Sequence, residues 1–548
     1  MDRGRTGRTT TPRRRRRPAR FGAALAALAM VAAACGGDSD GGPDAAATST
    51  TAPEPSGVQE LVVGAAEDPW VDSSEGDKKR KPNYPLNADV CETLVQLTAD
   101  FSVAPMVTEA EYVGDNTFEF TLVDGVTFSD GTPVTSAELK YSVDYTTMEP
   151  AIGSGFLGPE SVTIVDERTI RVTPTRPNLR LVEQINHPSL AILKTGSDPL
   201  NDVVNSTCTG PFKVESYAPE ERLVVVRNDD YWGEGPLLDK ITFRFYPDET
   251  TRALALQNDE VDLIMDVPLS ILSSVESQPG VKIARAPVGF TTLFYIARRT
   301  SDGQDRVLAD PLVRRAVAAS IDREAYANGV LAGNAEVIPH IAPPAVLGDH
   351  ADMVEGVPFD TDEAARLLDQ AGWTRQGTGV RTKDGQPLTI KIVYDRVELT
   401  TAEFVQAQLR AVGFDAQVAQ LDAGAYRTAL DTGDYDLDIS VPNQNDGNPA
   451  FLLALRWFSQ ATGANAKVVS PGPGTDYERM IEEILVEEDP EELRRRAAEA
   501  MHELVDNEVG GVTLAGGYRV YAMKDKVHGF EPHPSSTNQR WRTVYISE

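Results

Sequence analysis

The segment 388–418 constrains the fold most strongly, because it combines two apolar strands with a helix between them. Apolar residues alternate with polar ones along 388–394 and again along 414–418, which is the period of a β-strand. Between them, apolar residues recur at helical spacing over 405–412, and this pattern stops at Gly413. Strand, helix and strand of these lengths predict a right-handed βαβ unit in a parallel sheet, which places the chain in the α/β class.

The chain is long and strongly acidic. Its 548 residues are enough for two or more domains with large cores. The first 34 residues hold nine of the 52 basic residues and one of the 83 acidic residues, so the remainder carries a net charge of −39. Such a surface repels phosphates, and we therefore expect no binding to nucleic acid.

The N-terminus has the features of an export signal. Nine arginines between Arg3 and Arg20 precede an apolar run over 21–34, which is too short to cross a bilayer but has the length of a signal-peptide core. The run ends in small residues directly before Cys35, which resembles the lipobox of bacterial lipoproteins. We predict a signal peptide at 1–34 and a lipidated Cys35; the alternative is an ordinary secretory signal followed by a chance cysteine.

The residues after Cys35 have the composition of a linker. Gly, Ser, Thr, Pro and Ala dominate 36–57, and few apolar side chains are present to build a core. We therefore predict that 35–57 is a flexible tether between the lipid anchor and the folded part of the chain.

No enzyme signature is recognisable along the chain. The six histidines are scattered, and neither an HExxH zinc motif, a GxSxG elbow nor a Walker A loop occurs. Asp434, Asp436 and Asp438 suggest calcium ligands, but the glycine and glutamate that a calcium loop needs are missing, and the alternation around Leu437 and Ile439 predicts a strand. We therefore expect no enzymatic activity, no cofactor and no metal site; the alternatives are a secreted hydrolase and a non-transport surface protein.

One block of the sequence carries the most specific pattern. Residues 117–145 read TFEFTLVDGVTFSDGTPVTSAELKYSVDY, which predicts a strand, turns and a helix capped by Thr135. This block resembles family 5 of the solute-binding proteins of ABC importers, the family of peptide, dipeptide and nickel binders. Further blocks resemble the same family in the same order between about residues 60 and 540, among them TGPFKV at 209–214, the run ending in YWG at 233, and VRRAVAASIDREAY at 313–326.

The resemblance implies an architecture. The implied fold is α/β and two-lobed, a periplasmic-binding-protein-like fold of type II, similar to cluster C, with an inserted subdomain in the first lobe. The chain is expected to cross between lobes near 290–298 and near Gly510. The implied domains are a signal peptide at 1–34, a lipidated cysteine and tether at 35–57, lobe I from 58–100, 204–292 and 510–548, the inserted subdomain at 101–203, and lobe II at 293–509.

The resemblance also implies a function. A member of this family captures a peptide or peptide-like solute in the cleft between its lobes and delivers it to an ABC permease in the membrane. Within the family, a metal chelate or an oligosaccharide is the alternative cargo. We expect a monomer held at the outer face of the cell membrane by its lipid anchor.

The candidate ligand residues come from the same resemblance. In peptide-binding members, an aspartate four residues before a proline binds the α-amino group of the ligand, and Asn445 occupies that position here. Asp446 is adjacent and is a candidate to replace the aspartate, and Pro442 stands where many members have tryptophan. The candidate ligand-binding residues are Tyr84, Phe156, Arg396, Asn443, Asn445, Asp446 and Trp457.

Two cysteines remain after Cys35. An exported protein meets an oxidising environment, so we expect Cys91 and Cys208 to form a disulfide. Both cysteines lie in blocks that the resemblance assigns to the first lobe. The spacing of apolar residues around Cys91 predicts a helix over 87–97.

We predict that Cys35→Ala moves the protein from the membrane fraction to the soluble fraction, because the variant cannot receive the lipid. Immunoblotting of fractionated cells measures the distribution. Membrane association equal to that of the wild type would contradict the lipoprotein interpretation.

Overall fold

The computed structural model describes most of the chain beyond the N-terminal region. The described residues are 54–66, 89–145, 157–158, 160–175, 178, 181–186, 190–196, 207–395, 397, 399–442, 447–461, 465–535 and 538–547.

The strands of the described residues are, in chain order, β1 (Glu60–Ala65), β2 (Val95–Leu97), β3 (Val103–Pro105), β4 (Thr108–Gly114), β5 (Thr117–Leu122), β6 (Val162–Ile164), β7 (Thr169–Val172), β8 (Phe212–Ala218), β9 (Arg222–Arg227), β10 (Lys240–Phe245), β11 (Leu263–Ile264), β12 (Val281–Arg285), β13 (Phe290–Ile296), β14 (Ala335–Glu336), β15 (Thr382–Lys383), β16 (Gln386–Pro387), β17 (Thr389–Tyr394), β18 (Asp415–Gln420), β19 (Leu437–Ser440), β20 (Gly511–Gly517), β21 (Val520–Lys524), β22 (Val527–His528) and β23 (Tyr545–Ile546).

The α-helices are α1 (Ser136–Tyr145), α2 (Leu181–Gln184), α3 (Glu249–Gln257), α4 (Leu272–Glu276), α5 (Pro311–Ala319), α6 (Arg323–Ala325), α7 (Pro344–Leu347), α8 (Thr361–Gln370), α9 (Leu399–Val412), α10 (Ala423–Thr432), α11 (Ala466–Val469), α12 (Asp476–Ile484) and α13 (Pro490–His502). One-turn π-helical segments lie at Tyr326–Val330, Leu453–Trp457 and Glu503–Asn507. Within the described ranges, no helix combines the length and the apolar character that a membrane span requires.

Three larger sheets organise the described residues, which also contain three two-stranded sheets. The first sheet has seven described strands in the order β12–β21–β11–β1–β10–β9–β8. The second sheet has six in the order β14–β20–β13–β19–β17–β18, and the small sheet has four in the order β4–β5–β7–β6. Each sheet has its own buried apolar cluster, so each builds a separate part of the core.

The βαβ unit predicted from the alternating pattern is confirmed. β17 and β18 pair in parallel, and α9 connects them. Ile390 and Ile392 of β17 and Val405 and Leu409 of α9 are fully buried in one apolar cluster. The apolar stripe of the helix therefore packs on the sheet that its own flanking strands build.

The block at 117–145 supplies β5 to the small sheet and is followed there by α1, so its predicted strand and helix are confirmed. Phe118, Phe120 and Leu122 of β5 are buried while the residues between them are partly exposed, as the alternation requires. The Thr135 Oγ1 accepts the N–H of Ala137, and the Glu138 carboxylate accepts the Thr135 N–H, which caps the start of α1.

The chain crosses between the first and second sheets at two neighbouring places. Residues 286–289 lead from β12 to β13, and residues 518–519 lead from β20 back to β21. β20 is fully buried and pairs with β13 in the second sheet. The return to the first sheet therefore lies after Gly517, and not at Gly510, where the sequence analysis placed it.

The helix predicted over 87–97 is wrong for its described part, which contains β2 and no helix. All residues from 89 to 95 are buried, so the segment passes through the core instead of presenting one face to it. Asp89 has φ of 52°, and the carbonyls of Asp89 and Val90 accept N–H groups from Phe212 and Gly210. These long-range bonds replace the bonds of a helix.

The predicted disulfide between Cys91 and Cys208 is confirmed. Beside it, the buried Glu92 carboxylate accepts hydrogen bonds from the Tyr231 hydroxyl at 2.7 Å and from the Trp232 indole at 3.2 Å, and it pairs with Arg542. Burial raises the pKa of Glu92, and Arg542 and Tyr231 oppose that rise. The disulfide and this pair together join three distant segments of the chain.

We predict that the double variant Cys91→Ala, Cys208→Ala unfolds at lower urea concentration than the wild type. The bridge joins residues 117 positions apart, and removing such a constraint on the unfolded chain costs about 2–5 kcal/mol of unfolding free energy. Wild-type protein reduced with dithiothreitol is the control and should unfold near the variant. Equal midpoints for oxidised wild type and variant would contradict the prediction.

Candidate functional site

The carboxyl ends of two parallel strands meet at one edge of the second sheet. β17 and β19 are parallel neighbours, with Val393 in register with Asp438. Ligands of open α/β sheets bind beyond the carboxyl ends of such strands. This edge is therefore the candidate site.

The predicted ligand residues follow these two strands in the chain. Arg396 comes two residues after β17, and 443–446 come soon after β19. Both segments therefore begin at the same edge of the second sheet, where β17 and β19 end. Seven predicted residues lie outside the described residues: Cys35, Tyr84, Phe156, Arg396, Asn443, Asn445 and Asp446.

Asp438 is a buried carboxylate directly below this edge. It lies in the middle of β19 and is 1% exposed. The Tyr426 hydroxyl of α10 donates a hydrogen bond of 2.8 Å to its Oδ1 atom. Burial raises the pKa of the Asp438 carboxyl to about 7, although the Tyr426 hydrogen bond and the Arg456 charge both act to lower it.

Aromatic and cationic side chains surround this carboxylate. Tyr295 of β13 is in register with Asp438, so the two side chains share a face of the sheet. The Arg456 guanidinium lies 5.7 Å from the centre of the Tyr295 ring. Burial raises the pKa of Tyr295 to about 12, and the neighbouring Arg456 acts to lower it.

Trp457 is a core residue in this structure. Its ring is fully buried, lies 4.8 Å from the Tyr295 ring, and donates its indole N–H to the Gly510 carbonyl at 2.8 Å. A Cβ atom on Gly511 would stand 2.8 Å from the same ring. Trp457 is expected from the sequence to bind ligand, whereas the structure gives it a packing role at the start of β20.

The three aspartates that suggest calcium ligands have separate partners. The Arg306 guanidinium donates to Asp436 at 2.9 Å, and Lys391 pairs with Asp434 at 2.7 Å. Within the described ranges, no group of His, Cys, Asp and Glu side chains is placed to hold a metal ion. Asp438 therefore belongs to the buried polar group with Tyr426, Tyr295 and Arg456.

Sequence reasoning did not identify this buried group. It interpreted Asp438 as a strand residue only, and it did not select Tyr295, Tyr426 or Arg456. The available signal was a charged residue between the buried apolar residues of a strand, since a buried carboxylate requires polar partners. Which residues supply them depends on the packing of β13, α10 and the π-helical segment.

Comparison with known proteins relates this arrangement to a family. The family model described as bacterial extracellular solute-binding proteins, family 5 Middle, matches residues 102–464. The nickel-binding periplasmic protein of Escherichia coli (strain K12) is 27% identical over 434 residues, which cover 74% of this chain and 80% of that protein.

Two solved structures share the fold. NikA from Brucella suis, in complex with Fe(III)-EDTA, has a TM-score of 0.75 at 22% identity and covers 89% of this chain and 100% of its own. DppA from Helicobacter pylori, in complex with the peptide STSA, has a TM-score of 0.70 at 21% identity and covers 89% of this chain and 98% of its own. Each covers 89% of this chain, so the likeness extends over most of its length.

We predict that Asp438→Asn becomes more stable relative to the wild type as the pH rises from about 4 to 7. The folded protein holds the Asp438 proton with a pKa near 7, against 3.8 ordinarily, so the wild type loses unfolding free energy across this window. The asparagine keeps an oxygen for the Tyr426 hydroxyl and has no charge to bury. The difference should grow by up to about 4 kcal/mol and level off above pH 7.

Urea denaturation of both proteins between pH 4 and 8 measures this difference. Tyr426→Phe is the companion variant. Losing the Tyr426 hydrogen bond should raise the pKa of Asp438 further, so the loss of unfolding free energy should extend to higher pH than in the wild type. A difference between Asp438→Asn and wild type that is constant with pH would contradict the prediction.

Proposed function

Because the chain belongs to family 5 of the bacterial extracellular solute-binding proteins, we propose that it is the extracytoplasmic receptor of an ABC importer. It captures a solute between two lobes and delivers the solute to a membrane permease. The observation that carries this proposal is the family match over 102–464, about two thirds of the chain. The role is binding and delivery, without chemical change to the solute.

The proposed cleft lies between lobe I (58–100, 204–289 and 518–548) and lobe II (290–517), with the expected bounds moved so that β13 and β20 both belong to lobe II. The two neighbouring connections at 286–289 and 518–519 support a hinge, since a few residues between rigid sheets can take up the rotation. A solute that makes better contacts with the closed form shifts the population toward that form.

The proposed cargo is a peptide or peptide-like solute. DppA, which shares the fold, was solved with the peptide STSA. The chain differs from peptide-binding members at Asn445, where a neutral amide stands in place of the amine-binding aspartate. We assign the amine-binding role to Asp446, the adjacent carboxylate, with Arg396 as the partner of a ligand carboxylate.

A metal chelate is the second candidate cargo. The relative that is 27% identical is a nickel-binding protein, and NikA was solved with Fe(III)-EDTA. The described residues offer no cluster of metal ligands. A chelate can be held through its organic part, by arginine and aromatic side chains.

The proposed location is the outer face of the cell membrane. A lipid on Cys35 and the tether at 35–57 would keep the folded body near the permease while leaving it free to move. The proposed unit is a monomer, because one chain supplies both lobes of the cleft.

We predict that the protein binds short unmodified peptides in isothermal titration calorimetry, and that Asp446→Asn weakens this binding at least tenfold. A charge-assisted bond to the peptide ammonium is worth about 1.5–3 kcal/mol, and tenfold corresponds to 1.4 kcal/mol. Asp384→Asn makes the same chemical change in the exposed turn between β15 and β16 and should leave affinity unchanged.

The outcomes separate the candidates. Tight peptide binding that survives Asp446→Asn would show that this residue is not the anchor. Absence of heat with all peptides, together with heat on titrating a metal chelate such as Fe(III)-EDTA, would favour the second cargo. Mass spectrometry of solute released from the gently purified native protein identifies the cargo independently.

A further inference from the structure

The hairpin of β2 and β3 contacts the part of the protein built on the second sheet. Leu97 and Phe101 at the hairpin tip form one buried apolar cluster with Val346 of α7, and these side chains are 3%, 5% and 2% exposed. The hairpin lies against β4 of the small sheet, through the Thr108 N–H that donates to the Leu94 carbonyl at 2.9 Å. The cluster therefore joins two parts of the fold that have separate cores.

The backbone of Gly447 makes the closest approach at this contact. A Cβ atom on Gly447 would stand 2.2 Å from the Phe101 carbonyl oxygen and 3.6 Å from Leu97 Cδ1. Real Cβ atoms do not approach an oxygen to within 3.0 Å, so any other residue would force the two segments apart. Gly447 does not have a left-handed φ, so its own backbone conformation does not require glycine.

The hairpin tip is held rigidly on its own side. The Thr98 hydroxyl donates to the Ser102 carbonyl at 2.8 Å, which closes the turn. The ring of the buried His533 accepts the Ser535 N–H at Nδ1 and therefore donates from Nε2 to the Leu97 carbonyl, at 3.1 Å. These bonds oppose a local shift of the tip, so an added atom at Gly447 should act on the spacing between the two parts.

The other side of the contact is also anchored. Asn448, next to Gly447, is 7% exposed and its side-chain oxygen accepts the Ala450 N–H at 2.9 Å. Gly447 ends the connection that leaves β19 at the candidate edge of the second sheet. The contact between Gly447 and Phe101 therefore lies next to the proposed ligand-binding edge of the second sheet.

We propose that Gly447 is a positioning residue: its bare backbone against the Phe101 carbonyl, together with the cluster around Val346, holds the two lobes in the spacing of this structure, here called the closed form, in part of the solute-free population. This inference rests on the proposed function. When the lobes separate, the contact opens, and a side chain at 447 then has no neighbour to meet. A methyl group at this position raises the free energy of the closed form alone, and a solute that binds that form loses apparent affinity in proportion to the lost closed population.

Small-angle X-ray scattering of the solute-free protein tests the proposal with Gly447→Ala. We expect its radius of gyration to exceed that of the wild type by about 1 Å, on the roughly 24 Å of a compact body of this length. Gly235→Ala is the matched control, because Gly235 has an ordinary φ and open space around its Cβ position. The scattering profile of Gly235→Ala should superpose on that of the wild type.

A second variant and a second measurement keep the test decisive. Val346→Ala removes apolar contact without adding a clash, and it should increase the radius of gyration in the same direction by a smaller amount. The melting temperature reports on local damage to the fold and should be close to that of the Gly235→Ala control. A scattering profile of Gly447→Ala that matches the wild type would overturn the proposal, whether or not the melting temperature of the variant is lower.

The test is independent of the cargo. No solute is added, so failure of peptide binding leaves the expected change in scattering as it is. Conversely, an unchanged spacing in Gly447→Ala would remove the role of this residue and leave the proposed receptor function untouched.

Discussion

The two crossings of the chain between the first and second sheets are the constraint on which the rest of the structure depends. β12 and β21 are neighbours in the first sheet, and β13 and β20 are neighbours in the second. The Ala286 N–H donates to the Arg519 carbonyl at 2.9 Å, which ties the two crossings to each other. Because both crossings are short and adjacent, they permit rotation of one sheet against the other and resist separation.

Buried charges reinforce the regions next to these crossings. Glu508, just before β20, pairs with Arg298 at 2.6 Å and with Arg314 at 3.5 Å. Burial lowers the pKa of Arg314 to about 10, and the neighbouring Arg298 charge adds to this effect. Two guanidinium groups around one carboxylate contribute little net stability, since desolvation offsets the attraction, but losing Glu508 would leave both charges buried and unpaired. Such a group favours one arrangement of β20 relative to α5 over its alternatives.

Elements with strong local signals could be predicted because their patterns describe a single local surface. α8 begins where Asp360 accepts the N–H groups of Asp362 and Glu363, and α13 begins at Asp489 in the same manner. The helix prediction for 87–97 failed because the apolar spacing of this segment fits a helix as well as it fits a buried extended segment. The hydrogen bonds that decide between the two join it to Gly210 and Phe212, which are distant in the chain. Gly510 suggested a domain boundary, yet glycine at 511 serves close packing against Trp457 within a strand.

The amino-acid sequence by itself determined the α/β class, the order of the main strands and helices, the pairing of Cys91 with Cys208 and the family. The class, the order of elements and the family follow from periodicity, capping and motifs within short stretches of chain, and the pairing follows because only two cysteines remain after Cys35. Only the tertiary structure decided that Trp457 fills the core, that Asp438 is buried beneath the candidate edge, and that Gly447 meets Phe101. The physical reason is that burial and close approach arise between segments far apart in the chain, and no local pattern specifies which distant atoms will lie within a few ångströms.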